Sequence, residues 1–278
     1  MTPPTDPTDP AVADAVDASF ECLRFARDGD VLVVTIDRPG DPLNRVDDTL
    51  HRELTALFPR LQRERRARAI LLTGSGQAFS AGGDFAWFPA LQEPGQLADL
   101  HLDGKALIWD LLDVHLPIVC ALNGHAVGLG ASIALLCDAV FMCNSATLSD
   151  PHVRVGIVAG DGGTVAWPLA VGPMQAKRFL LTGDPVSAGQ AERLGLITEA
   201  VPDGELHGTA LAFAHRLAAG APLAVQGTKA AVNAGIKAAL TQSFDLATAL
   251  EMGTFHSADH AEALQAIAEK RAPRFTGR

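Results

Sequence analysis

The chain has 278 residues, is 48% hydrophobic and 19% charged, and carries a formal net charge of −10, so it can bury a large core. The acidic balance argues against a nucleic acid or a membrane surface as partner, and no apolar run approaches the length that spans a bilayer. Cys22, Cys120, Cys137 and Cys143 lack C-x-x-C spacing, so buried thiols in a reducing, cytoplasmic setting are expected rather than disulfides or zinc ligands.

Residues 1–18 are rich in Pro and Asp, with no basic stretch followed by an apolar one, so a disordered tail is expected rather than a signal peptide. Phe20–Arg27 and Val31–Asp37 read as two strands turning at Asp28-Gly29-Asp30. Asp47–Arg65 places Leu50, Leu54, Leu57, Phe58 and Leu61 at helical spacing. Ala69–Thr73 is a short buried strand, and this strand–helix–strand order favours a sheet with parallel pairs and right-handed crossovers. Gln77–Asp84 (QAFSAGGD) is a glycine loop, and a helix follows over Leu97–Val114. The strand Pro117–Leu122 delivers Asn123–Cys137 (NGHAVGLGASIALLC), a glycine loop running into a buried helix.

Ala139–Cys143 is a further strand, and Leu148–Trp167 is Gly-rich and holds His152 and Asp161. From Gly172 onward the pattern predicts helices over Pro173–Leu181, Ser187–Leu194, Leu206–Ala218, Leu223–Leu240, Phe244–His256 and Ala258–Arg271. A spiral core over 19–200 and a C-terminal helical region over 201–278 are the expected divisions.

Several motifs fail. Gly128-Leu129-Gly130 does not complete G-x-G-x-x-G, and there is neither a P-loop nor H-E-x-x-H. Ser132 has no nucleophile elbow around it, and His256 with His260 has no third metal ligand in view. What remains is a pair of glycine loops, each after a short strand. Two backbone N–H groups aimed at one point would hold an acyl oxygen on which charge develops. Tight turns are the plainer reading of either loop.

Phe79–Asp84, Asn123–Gly130 and Cys137-Asp138 resemble the enoyl-CoA hydratase/isomerase (crotonase) superfamily. So do Gly162-Gly163-Thr164, Leu181-Thr182-Gly183, Ala191–Ile197 and Glu269-Lys270-Arg271. The resemblance implies an α/β fold, a crotonase-like spiral of ββα repeats with a C-terminal helical region that forms trimers or dimers of trimers. It implies an acyl-CoA thioester as substrate, coenzyme A entering only as part of it, and no metal. Its oxyanion donors fall on the N–H groups of Gly83 and Leu129. Ala81, Asp84 and Phe85 border the coenzyme A, with Lys270, and more weakly Arg45, as phosphate partners.

The departures from that pattern are Ser132 and His152, which stand where hydratases of the family keep glutamates. His152, assisted by Asp161 nine residues on, is the expected replacement for acid–base work. The His…Asp spacing resembles the β-diketone hydrolase branch of the superfamily, although Leu129 stands where that branch has a further histidine; His125 lies nearby. The reading is an acyl-CoA-processing enzyme of hydratase/isomerase type. The alternatives are a retro-Claisen hydrolase of a β-diketone or β-ketoacyl substrate, and a non-catalytic acyl-CoA binder.

Overall fold

In the run Val31-Leu32-Val33-Val34-Thr35-Ile36 the β-branched side chains favour extended backbone, and this run forms strand β2 (Val31–Ile36). It pairs antiparallel with β1 (Leu23–Asp28) across a turn in which Gly29 has φ 54°. The structure, a computed structural model, describes residues 20–93 and 95–278. The expected tail, residues 1–18, lies outside them.

Next come α1 (Asp48–Leu61), β3 (Ala69–Gly74), β4 (Ala78–Ser80), α2 (Gln96–Asp113), β5 (Ile118–Leu122) and β6 (His125–Val127). The helix α1 begins at Asp47, whose carboxylate accepts the Leu50 N–H at 2.9 Å, and it buries the predicted stripe Leu50, Leu54, Leu57, Phe58 and Leu61. The chain continues through α3 (Leu129–Leu135), β7 (Ala139–Cys143), β8 (Thr147–Ser149), α4 (Gly163–Thr182), β9 (Val186–Ser187), α5 (Ala188–Leu194) and β10 (Glu199–Val201). It closes with α6 (Leu206–Ala218), α7 (Pro222–Phe255) and α8 (Ala258–Ala268).

The strands form two sheets, in the orders β1-β2-β3-β5-β7-β10 and β4-β6-β8-β9. Only β1–β2 and β8–β9 are antiparallel. Each inner strand of the larger sheet, β3, β5 and β7, passes after a short turn into a strand of the smaller one, β4, β6 and β8. This is the ββα spiral. Strands such as Ile118–Leu122 and Ala139–Cys143 are buried throughout, as continuous apolar runs in a covered parallel sheet should be. All four cysteines are free; Cys22, Cys120 and Cys143 are buried and Cys137 is partly so.

Several helical boundaries differ from the sequence reading; α1 and α8 stop at Leu61 and Ala268, short of Arg65 and Arg271. The predicted Pro173–Leu181 helix is the second half of α4, which kinks where Gly172 leaves helical geometry (φ 73°, ψ 161°) and Pro173 can donate no hydrogen bond. The predicted helices over Leu223–Leu240 and Phe244–His256 are one, the 34-residue α7. The gap left between them, Thr241-Gln242-Ser243, is helical. Thr241 and Ser243 bond back to the carbonyls of Lys237 (2.8 Å) and Ala239 (3.1 Å), leaving the helical ladder unbroken.

Candidate active site

The smaller sheet sets the site. Strands β4, β6 and β8 are parallel neighbours, so their carboxyl ends lie side by side. After β4 comes Ala81-Gly82-Gly83, after β6 comes Gly128-Leu129, and after β8 comes Asp150-Pro151-His152. One cleft, with an empty volume of about 680 Å³, is lined by Gly83, Leu129, His152, Asp161 and Glu251. Loops at the carboxyl ends of parallel strands are where open α/β folds place ligands.

Neither the Gly83 N–H nor the Leu129 N–H donates to an acceptor among the described residues. The bridge that fixes the first loop uses its neighbours: Val46 N–H donates to Gly82 (2.8 Å) and Asp84 N–H to Val46 (2.8 Å). Leu129 opens α3, whose first N–H groups have no partner within the helix. Gly128 before it has φ 54° and donates to Ser149 at 3.0 Å, tying the second loop to the end of β8. A Cβ on Gly128 would stand 3.1 Å from Cε1 of His152, so glycine permits both the turn and the approach of the imidazole.

His152 begins a short 3-10 turn, His152–Val155. Its Nδ1 lies 2.5 Å from Oδ1 of Asp150, and its Nε2 lies 3.5 Å from Oδ2 of Asp161. Asp161 does lie beside the imidazole, at the nitrogen that faces Gly128 and the cleft. The nitrogen behind belongs to Asp150. The other oxygen of Asp161 accepts from the Ser132 hydroxyl at 3.2 Å. One carboxylate is hydrogen-bonded to Nδ1 and the other stands at ion-pair distance from Nε2, a flanked ring rather than a chelate, since a metal could take only one of those nitrogens.

Glu251 of α7 completes the charge cluster. It is 7% exposed, and Thr248 one turn earlier bonds to the Gly160 carbonyl at 3.3 Å, holding α7 against the Asp161 loop. Burial disfavours the imidazolium of His152, but Asp150 and Asp161, with Glu251, outweigh it and push the group up to about 10. Burial and the neighbouring acids push Glu251 up to about 8, against the pull of His152. Burial also raises Asp161, opposed by His152, the Ser132 hydroxyl and the Gly163 N–H. At neutral pH the cluster therefore holds a protonated imidazole and a protonated Glu251.

None of the other expected contact residues lines this cleft. Ala81 N–H donates to Leu43 at 2.9 Å, and Phe85, 43% exposed, packs edge-on against Phe88 at 5.3 Å between centroids. The Asp84 carboxylate is committed to Arg38 (2.9 Å) and reaches Arg45 at 3.8 Å. Burial pushes it up, but Arg38, the Ala86 N–H and Arg45 outweigh that and hold it below the usual carboxylate range. Arg45 itself is bound to Asp41 at 2.9 Å. Lys270 is exposed and ends α8 with φ 55°, a left-handed cap. His125 is exposed and bonds Thr147 at 2.9 Å.

Among the residues not singled out from the sequence are Asp150, buried behind the imidazole, and Glu251 and His51, which line the cleft. Asp150 stood two residues before a flagged histidine, and Asp-Pro-His was its available signal. Glu251 and His51 sit on helices whose charged positions read as solvent-facing. Burial lowers His51 below the ordinary imidazole range despite Asp103 and Asp48.

The family model for enoyl-CoA hydratase/isomerase matches residues 26–278. A protein of Rhodobacter capsulatus named "Probable enoyl-CoA hydratase" is 35% identical over 94% of this chain and 100% of its own. The crystal structure of an enoyl-CoA hydratase/isomerase from Mycobacterium paratuberculosis superposes with a TM-score of 0.84 at 37% identity, covering 88% of this chain and 98% of that one. A beta-diketone hydrolase from the cyanobacterium Anabaena sp. PCC 7120, bound to (S)-3-oxocyclohexyl acetic acid, superposes at 0.80 with 31% identity, covering 86% and 95%.

Proposed function

The chain is an enzyme of the enoyl-CoA hydratase/isomerase family with the crotonase fold, and we propose that it acts on an acyl-CoA thioester through a bound enolate. The observation that carries this is the meeting of two unpaired N–H groups, Gly83 and Leu129, with the His152–Asp161 pair in one cleft. The thioester oxygen sits between the two donors, whose hydrogen bonds strengthen as negative charge builds on it. The proton goes to and from the substrate through Asp161 and Nε2 of His152, the faces of the cluster turned to the cleft. An imidazolium beside a carboxylate holds one mobile proton between them, and the pair can both take a proton and return one. This replaces the glutamates that Ser132 and His152 displace. Among the described residues no helix is long and apolar enough to cross a membrane. Exposed Leu169, Met174 and Leu181 on α4 are compatible with packing against further copies in a trimer or a dimer of trimers.

One observation favours a second reading. The likeness to the Anabaena beta-diketone hydrolase, together with a histidine in a glutamate's place, suits hydrolytic C–C cleavage. There His152–Asp161 would take a proton from water, whose oxygen bonds to one carbonyl of a 1,3-diketone. The C–C bond would break, the electron pair passing to an enolate held by Gly83 and Leu129, and protonation of that enolate would give a ketone beside a carboxylic acid.

A substrate panel separates the two. Purified enzyme is given crotonyl-CoA and longer enoyl-CoA esters, followed by thioester absorbance, and cyclic 1,3-diketones, followed by acid release. Thioester turnover that falls at least about 100-fold in His152→Ala supports the first reading. Diketone cleavage with inert thioesters replaces it with the second. Coenzyme A ester binding without turnover of either class would mark a non-catalytic binder.

A further inference from the structure

Asp150 is fully buried, and its carboxylate has one hydrogen-bond partner among the described residues. Oδ1 lies 2.5 Å from Nδ1 of His152, while Oδ2 has no partner. Leaving an acid buried with a single bond is costly unless that bond carries charge on both sides. The surroundings are shaped for it. A Cβ at Gly163 would stand 2.1 Å from Oδ2, so glycine lets the first turn of α4 close on the carboxylate, where a helix N-terminus favours negative charge. Pro151 fixes the short link between acid and imidazole, and the Ser149 carbonyl just before Asp150 accepts the Gly128 N–H of the second glycine loop. Asp150 is thus braced by the same strand end that places Leu129.

We propose that Asp150 is the positioning residue of this site: it holds the proton on Nδ1 of His152 and fixes the imidazole so that Nε2 is presented to Asp161 and the cleft. Of the two aspartates beside the ring, Asp150 orients and Asp161 shares the mobile proton. The geometry of the two contacts decides this, since the one at Nδ1 is a 2.5 Å hydrogen bond buried on the acid's side, whereas that at Nε2 is an ion-pair contact of 3.5 Å that borders the cleft. Substrate or water can insert only at the second. A carboxylate on the rear nitrogen sets which ring nitrogen is available in front. The charged and titratable groups facing His152 are Asp150 before it, Asp161 from the loop before α4 and Glu251 from α7; the Ser132 hydroxyl of α3 reaches it only through Asp161.

This assignment rests on the reading of His152 as the group that handles the proton, but its test needs no substrate, so the two can fail separately. The full chain is labelled with 15N-histidine, and the His152 ring is identified by the signals missing from His152→Gln. Long-range proton–nitrogen correlations then report the proton on each ring nitrogen. The wild-type ring should show a strongly hydrogen-bonded Nδ1–H that persists in Asp161→Asn. In Asp150→Asn that proton should lose its low-field shift, and the imidazole should titrate at least one pH unit lower. If Asp150→Asn does not fold, the wild-type and Asp161→Asn spectra decide alone: a Nδ1–H that is retained supports the proposal. A Nδ1–H absent from the wild type, or lost in Asp161→Asn, overturns it. An Asp150→Asn spectrum identical to wild type also overturns it.

Discussion

The Ser132 hydroxyl donates to Asp161 Oδ1 across 3.2 Å, and this bond joins the helix after the second glycine loop to the loop that precedes α4. By the resemblance drawn from the sequence, Ser132 stands where hydratases of the family keep a glutamate, and here its hydroxyl is hydrogen-bonded to another acid. Ser132→Ala removes one of the contacts opposing the rise of the Asp161 carboxyl. A single such bond to a charged group is worth roughly 1.5–3 kcal/mol, so a fall in kcat of about 10-fold to about 150-fold is expected, with the acid limb of the pH–rate profile moving to higher pH. A profile that keeps its shape would show that Asp161 does not titrate in turnover.

Gly128→Ala tests how closely loop and imidazole are fitted. The added methyl would meet His152 Cε1 at 3.1 Å, and the backbone would keep φ 54°, a conformation strained for alanine. Strain of this kind costs about 1–3 kcal/mol, so calorimetry should show a lower melting temperature. Activity should fall further than stability explains, since the displaced ring leaves Asp161. A variant that melts and turns over like wild type would mean that the loop adjusts freely.

Glu251 makes stability depend on pH in a stated direction. Its ordinary pKa of 4.5 rises to about 8 in the folded chain. Below pH 4.5 folded and unfolded chains are both protonated, and nothing changes. Between about 4.5 and 8 the unfolded chain releases the proton first, so the folded state loses stability as pH rises. The His152 shift, from 6.5 to about 10, extends the decline, because its contribution is complete below 6.5 and is lost as pH passes through 10. Glu251→Gln should flatten the fall between pH 4.5 and 8 in urea unfolding, and should melt above wild type at pH 9. A wild-type midpoint that stays constant across that range would contradict the buried cluster.

Arg38 braces the first loop. It reaches Asp41 at 3.1 Å, Asp47 at 2.8 Å and Asp84 at 2.9 Å, with its side chain 18% exposed and that of Asp84 11%. Arg38→Ala leaves Asp41 and Asp84 with Arg45 as their remaining cationic partner. Breaking a buried pair from one side costs about 3–5 kcal/mol; solvent at the partly exposed Arg38 reduces that, and about 2 kcal/mol is expected in chemical denaturation. Substrate KM should rise as the Gly83 loop loosens. Stability within a few tenths of wild type would show the network to be peripheral.

The strands and the two glycine loops were legible because they are written locally: β-branched runs, turn glycines and an Asp cap all act within a few residues. Gly83, Leu129 and His152 were reached through the family resemblance and Asp161 through its spacing from His152, and the structure gathers all four in one cleft. The continuous α7 was not legible, since hydroxyls that bond back to helix carbonyls resemble a break in a hydropathy pattern. Glu251 was hidden for a related reason. Its burial is imposed by α7 lying against Gly160, a contact across 91 residues of chain that helical spacing cannot convey. Asp150 differs again: the residue was in plain view, but which aspartate met which ring nitrogen depended on the turn at Pro151.

The parallel alignment of β4, β6 and β8 separates two duties along one sheet. The first two strands lead to backbone N–H groups, which are indifferent to side-chain identity, and the third leads to the side chains that the proposed reading assigns the proton work. Under that reading, the loop after β8 can be rewritten while the two backbone donors stay in place. Such a division makes the scaffold a stable platform for reaction change, in which a few replaced side chains redirect a common intermediate toward a different product.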